Sequence, residues 1–169
     1  MTEERKKKTD KCVMLDWERG LATCQHCGVV LQMHEYIKSN QEIEYVKPPQ
    51  KINDLLSEKV VNWFAGRGIG LDTIRRLRIS GGLEWMPQTK TEVMTIQFNY
   101  FLDSSLVNVK YRDAAKNFKM FKDAEKIFYN IDSIRFTDEV VITEGEVDVC
   151  SLVESGVYNS ISVPNGFNL

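Results

Sequence analysis

Residues 140–166, VVITEGEVDVCSLVESGVYNSISVPNG, constrain what this chain can fold into more than any other stretch. EVVITEG is a short apolar strand entering a glycine turn. EVDVCSLVESG carries apolar Val147, Val149, Leu152 and Val153 and stops at Gly156, which is the pattern of a helix. YNSISVPNG is strand-like again and ends in a turn. Strand, helix and strand so closely spaced predict a βαβ unit, two parallel strands joined by a right-handed crossover. Two parallel strands are too few to form a stable sheet alone, so the residues before them, or a partner, must complete it.

The preceding segment is suited to that task. From Gly82 to Phe136 the pattern is that of strands: EVMTIQFNYFL alternates in part, Ser104-Ser105 mark a turn, and LVNVKYRD answers as a hairpin partner. KNFKMFKDAEKIFYN is mixed, and its latter half reads as a turn or short strand rather than a helix. Before this, LSEKVVNWFAGRGIGLDTIRRLRIS predicts two short helices. Ser57 is the expected N-cap of the first, with Val60, Val61 and Phe64 as its apolar stripe. GRGIG breaks that helix, and Asp72 is the expected cap of the second, whose Ile74, Leu77 and Ile79 face inward. The glycines of GRGIG lack the preceding strand and the spacing of a nucleotide fingerprint, so the segment reads as a helix-turn-helix packing unit.

Residues 1–46 read as a small β-rich module, with VMLDW and VVLQMHEYI flanking the turn ATCQHCG. A close cysteine pair in a chain that is not secreted argues for metal or redox chemistry rather than a structural disulfide. Cys24 and Cys27 are thus candidate zinc ligands, and Cys12, His26 and His34 are the further donors nearby. Cys150 lies in the apolar run VDVCSLV and reads as a small buried hydrophobe. Pro48-Pro49 in KPPQKIND is the best linker signal. The organisation expected is α+β, in three segments: 1–46, 47–137 and 138–169.

No run approaches the roughly 18 apolar residues of a membrane span, and MTEERKKKTDKC has no apolar stretch behind its basic patch. The expected compartment is the cytoplasm, with no membrane partner. The net charge of −2 hides an asymmetry. Residues 47–137 carry fifteen Lys and Arg against ten Asp and Glu, whereas residues 138–169 carry six acidic residues and no Lys or Arg. A basic middle beside an acidic end suits a polyanion surface next to a divalent-cation site, and equally suits ordinary surface charge unevenly spread.

The acidic end has a definite shape. ITEGEVDV presents Glu144 at the C-terminal end of a parallel strand, where α/β folds place their ligands. Asp148 follows one helical turn on, so both carboxylates can face one crevice. Mg²⁺ favours such oxygen donors, through one or two carboxylates and substrate phosphates. On spacing alone, acidic residues that merely complement the helix dipole fit as well. Glu146, between them, points elsewhere if the helix begins there.

These residues resemble the first motif of the TOPRIM fold, shared by bacterial-type primases, topoisomerases, some nucleases and recombination mediators. In TEGEVD, then S-L-x-E-x-G, then SVPNG, the chain is most similar to the primase-helicases of phages and the Twinkle-like enzymes. LVNVKYRD with KNFK and DAEKIFYN resembles the basic subdomain that precedes TOPRIM there, and LSEKVVNWFAGRGIGLDTIRRLRI the helical segment before that. The resemblance spans roughly residues 52–169. It implies a zinc-ribbon-like N-terminal module, a basic N-terminal subdomain of the primase, and the start of a TOPRIM domain. The activity implied is DNA-templated RNA primer synthesis in replication, on a single-stranded DNA template from nucleoside triphosphates, beside a replicative helicase domain or subunit. The cell implied is a bacterial or phage-infected one.

Carried over, Glu144 matches the TOPRIM glutamate, a general base or acid in nucleotidyl transfer, and Asp148 the aspartate one turn later; together they imply a partial Mg²⁺ (or Mn²⁺) site. Lys110 and Lys116 match basic positions that hold nucleotide and template, with Arg112 and Lys119 close by. Lysine is a point-charge phosphate binder and arginine a bidentate fork. The departures are as informative. The family's Asp-x-Asp motif on the next strand does not occur before Leu169, and no G-x-x-x-x-G-K-[ST] occurs, so the chain alone is expected to be inactive. GLATCQHCG resembles the second zinc knuckle, but no first knuckle precedes it, which leaves Cys24 and Cys27 as a partial Zn²⁺ site. The alternative is a non-catalytic TOPRIM and zinc-ribbon DNA-binding module of the recombination-mediator type, which lacks the VKYRD…KNFK segment. A topoisomerase would need a distant tyrosine nucleophile and a much larger chain.

Overall fold

A computed structural model describes residues 13–33, 44–49 and 56–165. The chain forms two compact units, Met1–Ile43 and Glu44–Leu169. The break thus falls before the expected 46/47 boundary, and residues 47–137 and 138–169 share one unit instead of forming two.

The first unit contains an antiparallel sheet of β1 (Val13–Asp16), β2 (Leu21–Cys24) and β3 (Val30–Gln32), in that order. Part of the expected ATCQHCG turn is therefore strand. Asp16 accepts from the Arg19 N–H at 2.9 Å to close the first turn. Val13, Met14, Val30 and Leu31 are all exposed, and none of the buried apolar residues described belongs to this unit. A sheet this small has too little surface to bury, so local turns hold it rather than a core.

The second unit is built on a meander of β4 (Ser80–Met86), β5 (Thr91–Leu102), β6 (Ser105–Asp113) and β7 (Phe118–Met120), antiparallel throughout. The β5–β6 turn is Asp103-Ser104, with φ of 51° and 62°, one residue earlier than the serine pair predicts. Two left-handed residues match the strand twist of a tight hairpin. Asp132 stabilises them by accepting from both backbone N–H groups, at 3.0 and 2.9 Å, and Arg135 pairs with Asp103.

Two helices, α1 (Glu58–Ala65) and α2 (Leu71–Arg76), precede the meander. Ser57 caps α1 as expected, its Oγ accepting from the Val60 N–H. Asp72 does not cap α2: it lies inside the first turn, and Gly70 is the N-cap. The carboxylate of Glu154, from the far end of the chain, accepts from the Gly70 N–H at 3.0 Å instead. A second hydrogen bond, from Thr73, helps to hold that carboxyl below its ordinary pKa.

The βαβ unit forms as predicted: β8 (Val141–Thr143), α3 (Glu146–Glu154) and β9 (Ser160–Ser162), with β8 and β9 parallel. Gly156, at φ +89°, ends the helix in the left-handed conformation that suits glycine. The meander does not extend this two-stranded sheet: Tyr129, whose backbone exchanges hydrogen bonds with Ser162 at 2.9 and 3.3 Å, adds a single antiparallel bridge beside β9. The Tyr129 ring is 1% exposed and meets Phe98 and Tyr100 edge-on, at 5.9 and 5.2 Å. Around it one core collects Val60 and Phe64 of α1, Ile74 of α2, Ile96, Phe98 and Tyr100 of β5, and Val149, Cys150 and Val153 of α3. A smaller cluster of Met86, Leu106, Val109 and Tyr111 lies apart from it. Packing α3 and the meander on one core explains why no boundary falls at 137.

Candidate nucleotide and metal cleft

Strand β6 decides which basic residues can act together. Side chains alternate along a strand, so Lys110 and Arg112 share one face and Tyr111 takes the other. The register with β7 places Met120 opposite Lys110, Lys119 opposite Tyr111, and Phe118 opposite Arg112. Lys119 is therefore on the Tyr111 face. There it is paired with Glu84 at 2.6 Å, with its ammonium 5.1 Å from the Tyr111 ring centroid. Burial, reinforced by the Glu84 charge, pushes the Tyr111 phenol up to about 12. Lys119 thus stands apart from Lys110 and Arg112.

The β8–α3 turn supplies the acidic side. Thr143 Oγ1 lies 3.2 Å from both the Gly145 and Ile161 carbonyls, tying the turn to β9. Gly145 is the extended N-cap of α3, and Asp148 Oδ2 accepts from its N–H at 3.2 Å. Glu144 and Asp148 are both exposed. They line a cleft of about 560 Å³, together with Lys110, Phe118, Glu146 and Asn165. Lys110 is thus brought to the two carboxylates from 34 and more residues away in sequence, because β6 and α3 pack on the same core.

Glu146, the first residue of α3, points inward as the helix start predicts and is 4% exposed. Its Oε1 accepts from the Tyr100 hydroxyl at 2.5 Å and from Lys110 Nζ at 2.8 Å. Lys110 Nζ donates a second bond, to the Pro164 carbonyl at 2.9 Å. Burial, and then the Glu146 charge, drives the Tyr100 pKa far above its ordinary value, so its hydroxyl remains a donor. Burial does the same to the Cys150 thiol beneath, in line with its reading as an inert small hydrophobe.

Arg112 faces a second groove, of about 440 Å³, with Trp63, Lys59 and Met94 among its walls. Its guanidinium lies 4.5 Å from the Trp63 ring centroid and 5.8 Å from that of Phe118. The Arg67 guanidinium stacks on the same indole at 3.6 Å. Arg112 is 7% exposed, and no ion pair to it occurs among the described residues. Burial and the nearby Arg67 charge lower its pKa, against the opposing pull of Asp113. Lys116 is exposed in the β6–β7 turn, at φ +64°. Asp113 closes that turn by accepting from the backbone and side-chain nitrogens of Asn117, both at 2.8 Å.

The donor set of Glu144 and Asp148 fits a hard cation such as Mg²⁺, which commonly takes two protein carboxylates and fills its shell with water and phosphate oxygens. No group of three or more acidic, histidine or cysteine side chains placed to hold one metal ion occurs among the described residues. That limit also bears on zinc. Cys24 and Cys27 flank a tight turn in which the Gly28 N–H donates to the Cys24 carbonyl at 2.8 Å. Two thiols are half of a tetrahedral site, and Cys12 and His34 lie outside the described residues. The described residues therefore do not fit a closed zinc site.

Sequence reasoning turned Glu146 away from the other two carboxylates without giving it a partner, and passed over Tyr100, Trp63 and Arg67. For Glu146 the signal was present: positions 146, 149, 150 and 153 form one helical stripe, and the last three are apolar. A carboxylate on such a stripe is buried and needs a partner.

No family model matches the chain. It is 32% identical over 151 residues to the Primase homolog protein of Arabidopsis thaliana, covering 85% of this chain and 43% of that protein. It is 34% identical over 111 residues to the chloroplastic and mitochondrial Twinkle homolog protein of the same plant, covering 66% of this chain and 15% of that protein. The chain thus spans less than half the length of the curated relatives it matches. The DnaG catalytic core aligns with a TM-score of 0.50 at 11% identity, over 63% of this chain and 47% of that one. The sequence is thus similar to those of a primase homolog and a Twinkle homolog and the fold to that of a DnaG catalytic core, which together support a fragment of the TOPRIM-type primase class.

Proposed function

We propose that this chain contributes the nucleotide- and template-holding part of a DNA primase, which makes RNA primers on single-stranded DNA during replication. The observation that carries this reading is the one cleft that Lys110, Glu144 and Asp148 line together. Lys110 takes a phosphate of the incoming triphosphate. Glu144 accepts the proton of the attacking hydroxyl, whose oxygen bonds to the α-phosphorus as pyrophosphate leaves. Glu144 and Asp148 would hold Mg²⁺ or Mn²⁺, which would supply neutralisation of phosphate charge. Arg112, stacked on Trp63 beside Arg67, holds the template backbone, since a buried guanidinium without an ion-pair partner favours an anion. Lys116 supports it from the exposed turn.

A replicative helicase domain or subunit is the natural partner of such a unit, and the compartment is the one that holds the DNA. No helix among the described residues is long and apolar enough to cross a membrane. The test is calorimetric binding of ATP to the chain with and without Mg²⁺. Binding that requires Mg²⁺ and weakens in Glu144→Gln and Asp148→Asn is expected. Binding indifferent to both the metal and the substitutions would remove the reading.

A further inference from the structure

Lys110 is the only cation lining the carboxylate cleft among the described residues, yet it is not a freely swinging surface lysine. Its ammonium has three donors. One is fixed to Glu146 at 2.8 Å and one to the Pro164 carbonyl at 2.9 Å, and the Phe118 ring centroid lies 5.4 Å away. Glu146 is itself fixed, from a different strand, by the 2.5 Å bond from Tyr100. Tyr100 is fully buried and edge-on to Tyr129. The chain of contacts therefore runs from the central core, through a phenol and a carboxylate, to the ammonium at the wall of the cleft.

A long lysine side chain loses rotamer freedom when it binds an anion, and a site that has already ordered it avoids that loss on binding. Glu146 also neutralises the ammonium, which by charge alone weakens its attraction for phosphate. At 4% exposure and bonded to Lys110 at 2.8 Å, the same carboxylate also fixes where that ammonium lies.

We infer that Glu146, anchored by Tyr100, is a positioning residue: it holds the Lys110 ammonium with one donor left for a phosphate oxygen in the cleft. This rests on the reading of the cleft as a nucleotide site, but its first test does not. In the full chain labelled with ¹⁵N-lysine, the Lys110 ammonium gives a slowly exchanging, ordered NMR signal. Tyr100→Phe removes one hydroxyl and nothing else, and Glu146→Gln keeps the shape and removes the charge. Both variants, checked for folding by their melting transitions, are expected to broaden or lose that signal. Should Glu146→Gln fail to fold, Tyr100→Phe carries the test alone. An ordered Lys110 signal unchanged in the folded variants overturns the inference.

The second test is Mg²⁺-ATP affinity. Field strength alone makes Glu146→Gln bind more tightly, because the cleft becomes more positive. Positioning makes it bind about tenfold more weakly, the loss expected when a charge-assisted bond becomes a neutral one. Tighter binding by Glu146→Gln overturns the inference. Absence of ATP binding in the parent chain overturns the nucleotide reading instead, and the ammonium signal still decides the role of Glu146.

Discussion

Replacing Lys110 by methionine isolates what the Lys110–Glu146 pair contributes to folding. Methionine keeps the length and apolar character of the stem and deletes the charge. Glu146 then stays 4% exposed with the Tyr100 hydroxyl as its remaining described partner. Breaking one side of a buried pair typically costs 3–5 kcal/mol. The Lys110 side chain is 13% exposed, so the low end applies, about 3 kcal/mol. With a urea slope of about 2 kcal/mol/M, typical of a domain this size, the unfolding midpoint falls by roughly 1.5 M. Pairing the change with Glu146→Gln removes the stranded charge, and the double variant is expected within about 1 kcal/mol of the parent, because an uncharged pair carries no large desolvation penalty. Urea melts of the four proteins close the cycle. A single variant as stable as the parent, or a double variant no better than Lys110→Met alone, would refute the claim that burial of Glu146 depends on Lys110. The cycle also separates two reasons for lost nucleotide binding: the double variant is folded, so binding missing there is lost for want of the ammonium.

Other expectations follow from the same contacts. Glu154→Gln weakens the bond to the Gly70 N–H; since the native Glu154 carboxyl sits below its ordinary pKa, the stabilisation is fully present above the unfolded carboxylate value and lost as pH falls through the lower folded value. Parent and variant should thus differ in urea midpoint at pH 7 and converge only once the pH lies below the lowered folded value; a constant difference would disprove the role. The Asp113 carboxyl is likewise held low, because hydrogen bonds from Asn117 and Ala115 outweigh its burial, and Asp113→Asn should show the same convergence. Arg112→Ala should reduce the salt slope of single-stranded DNA binding by about 0.7, the value of one phosphate contact, and an unchanged slope in filter binding would remove Arg112 from the template path. Phe64→Ala, at 0% exposure under α1, should cost about 3–5 kcal/mol in the same melts.

Much of the fold was legible because it is local. The βαβ unit, the Ser57 cap and the β5–β6 hairpin follow from periodicity and turn chemistry within a few residues of each other. The features missed depend on distant partners. Asp72 has the right chemistry to cap α2, but Glu154 from the end of α3 takes that place. Lys119 shares the charge and the neighbourhood of Lys110, yet the pleat turns it to the opposite face, where Glu84 holds it. The inward turn of Glu146 is written in its helical stripe, whereas its two partners, on β5 and β6, are fixed only by the register of the sheet.

The bond between Glu154 and Gly70 joins residues separated by 84 positions, and that separation has a kinetic consequence. The meander pairs neighbours across short turns and can form early, whereas docking α3 on α2 closes a long loop whose entropy is recovered only by contacts made afterwards. Glu154 should therefore show a φ-value near zero, with its loss appearing as faster unfolding and an unchanged folding rate. The acidic turn that begins α3 would reach Lys110 only in that last step, so a partly folded chain would hold a basic sheet without its carboxylates: able to attract nucleic acid before it has a cleft for a nucleotide.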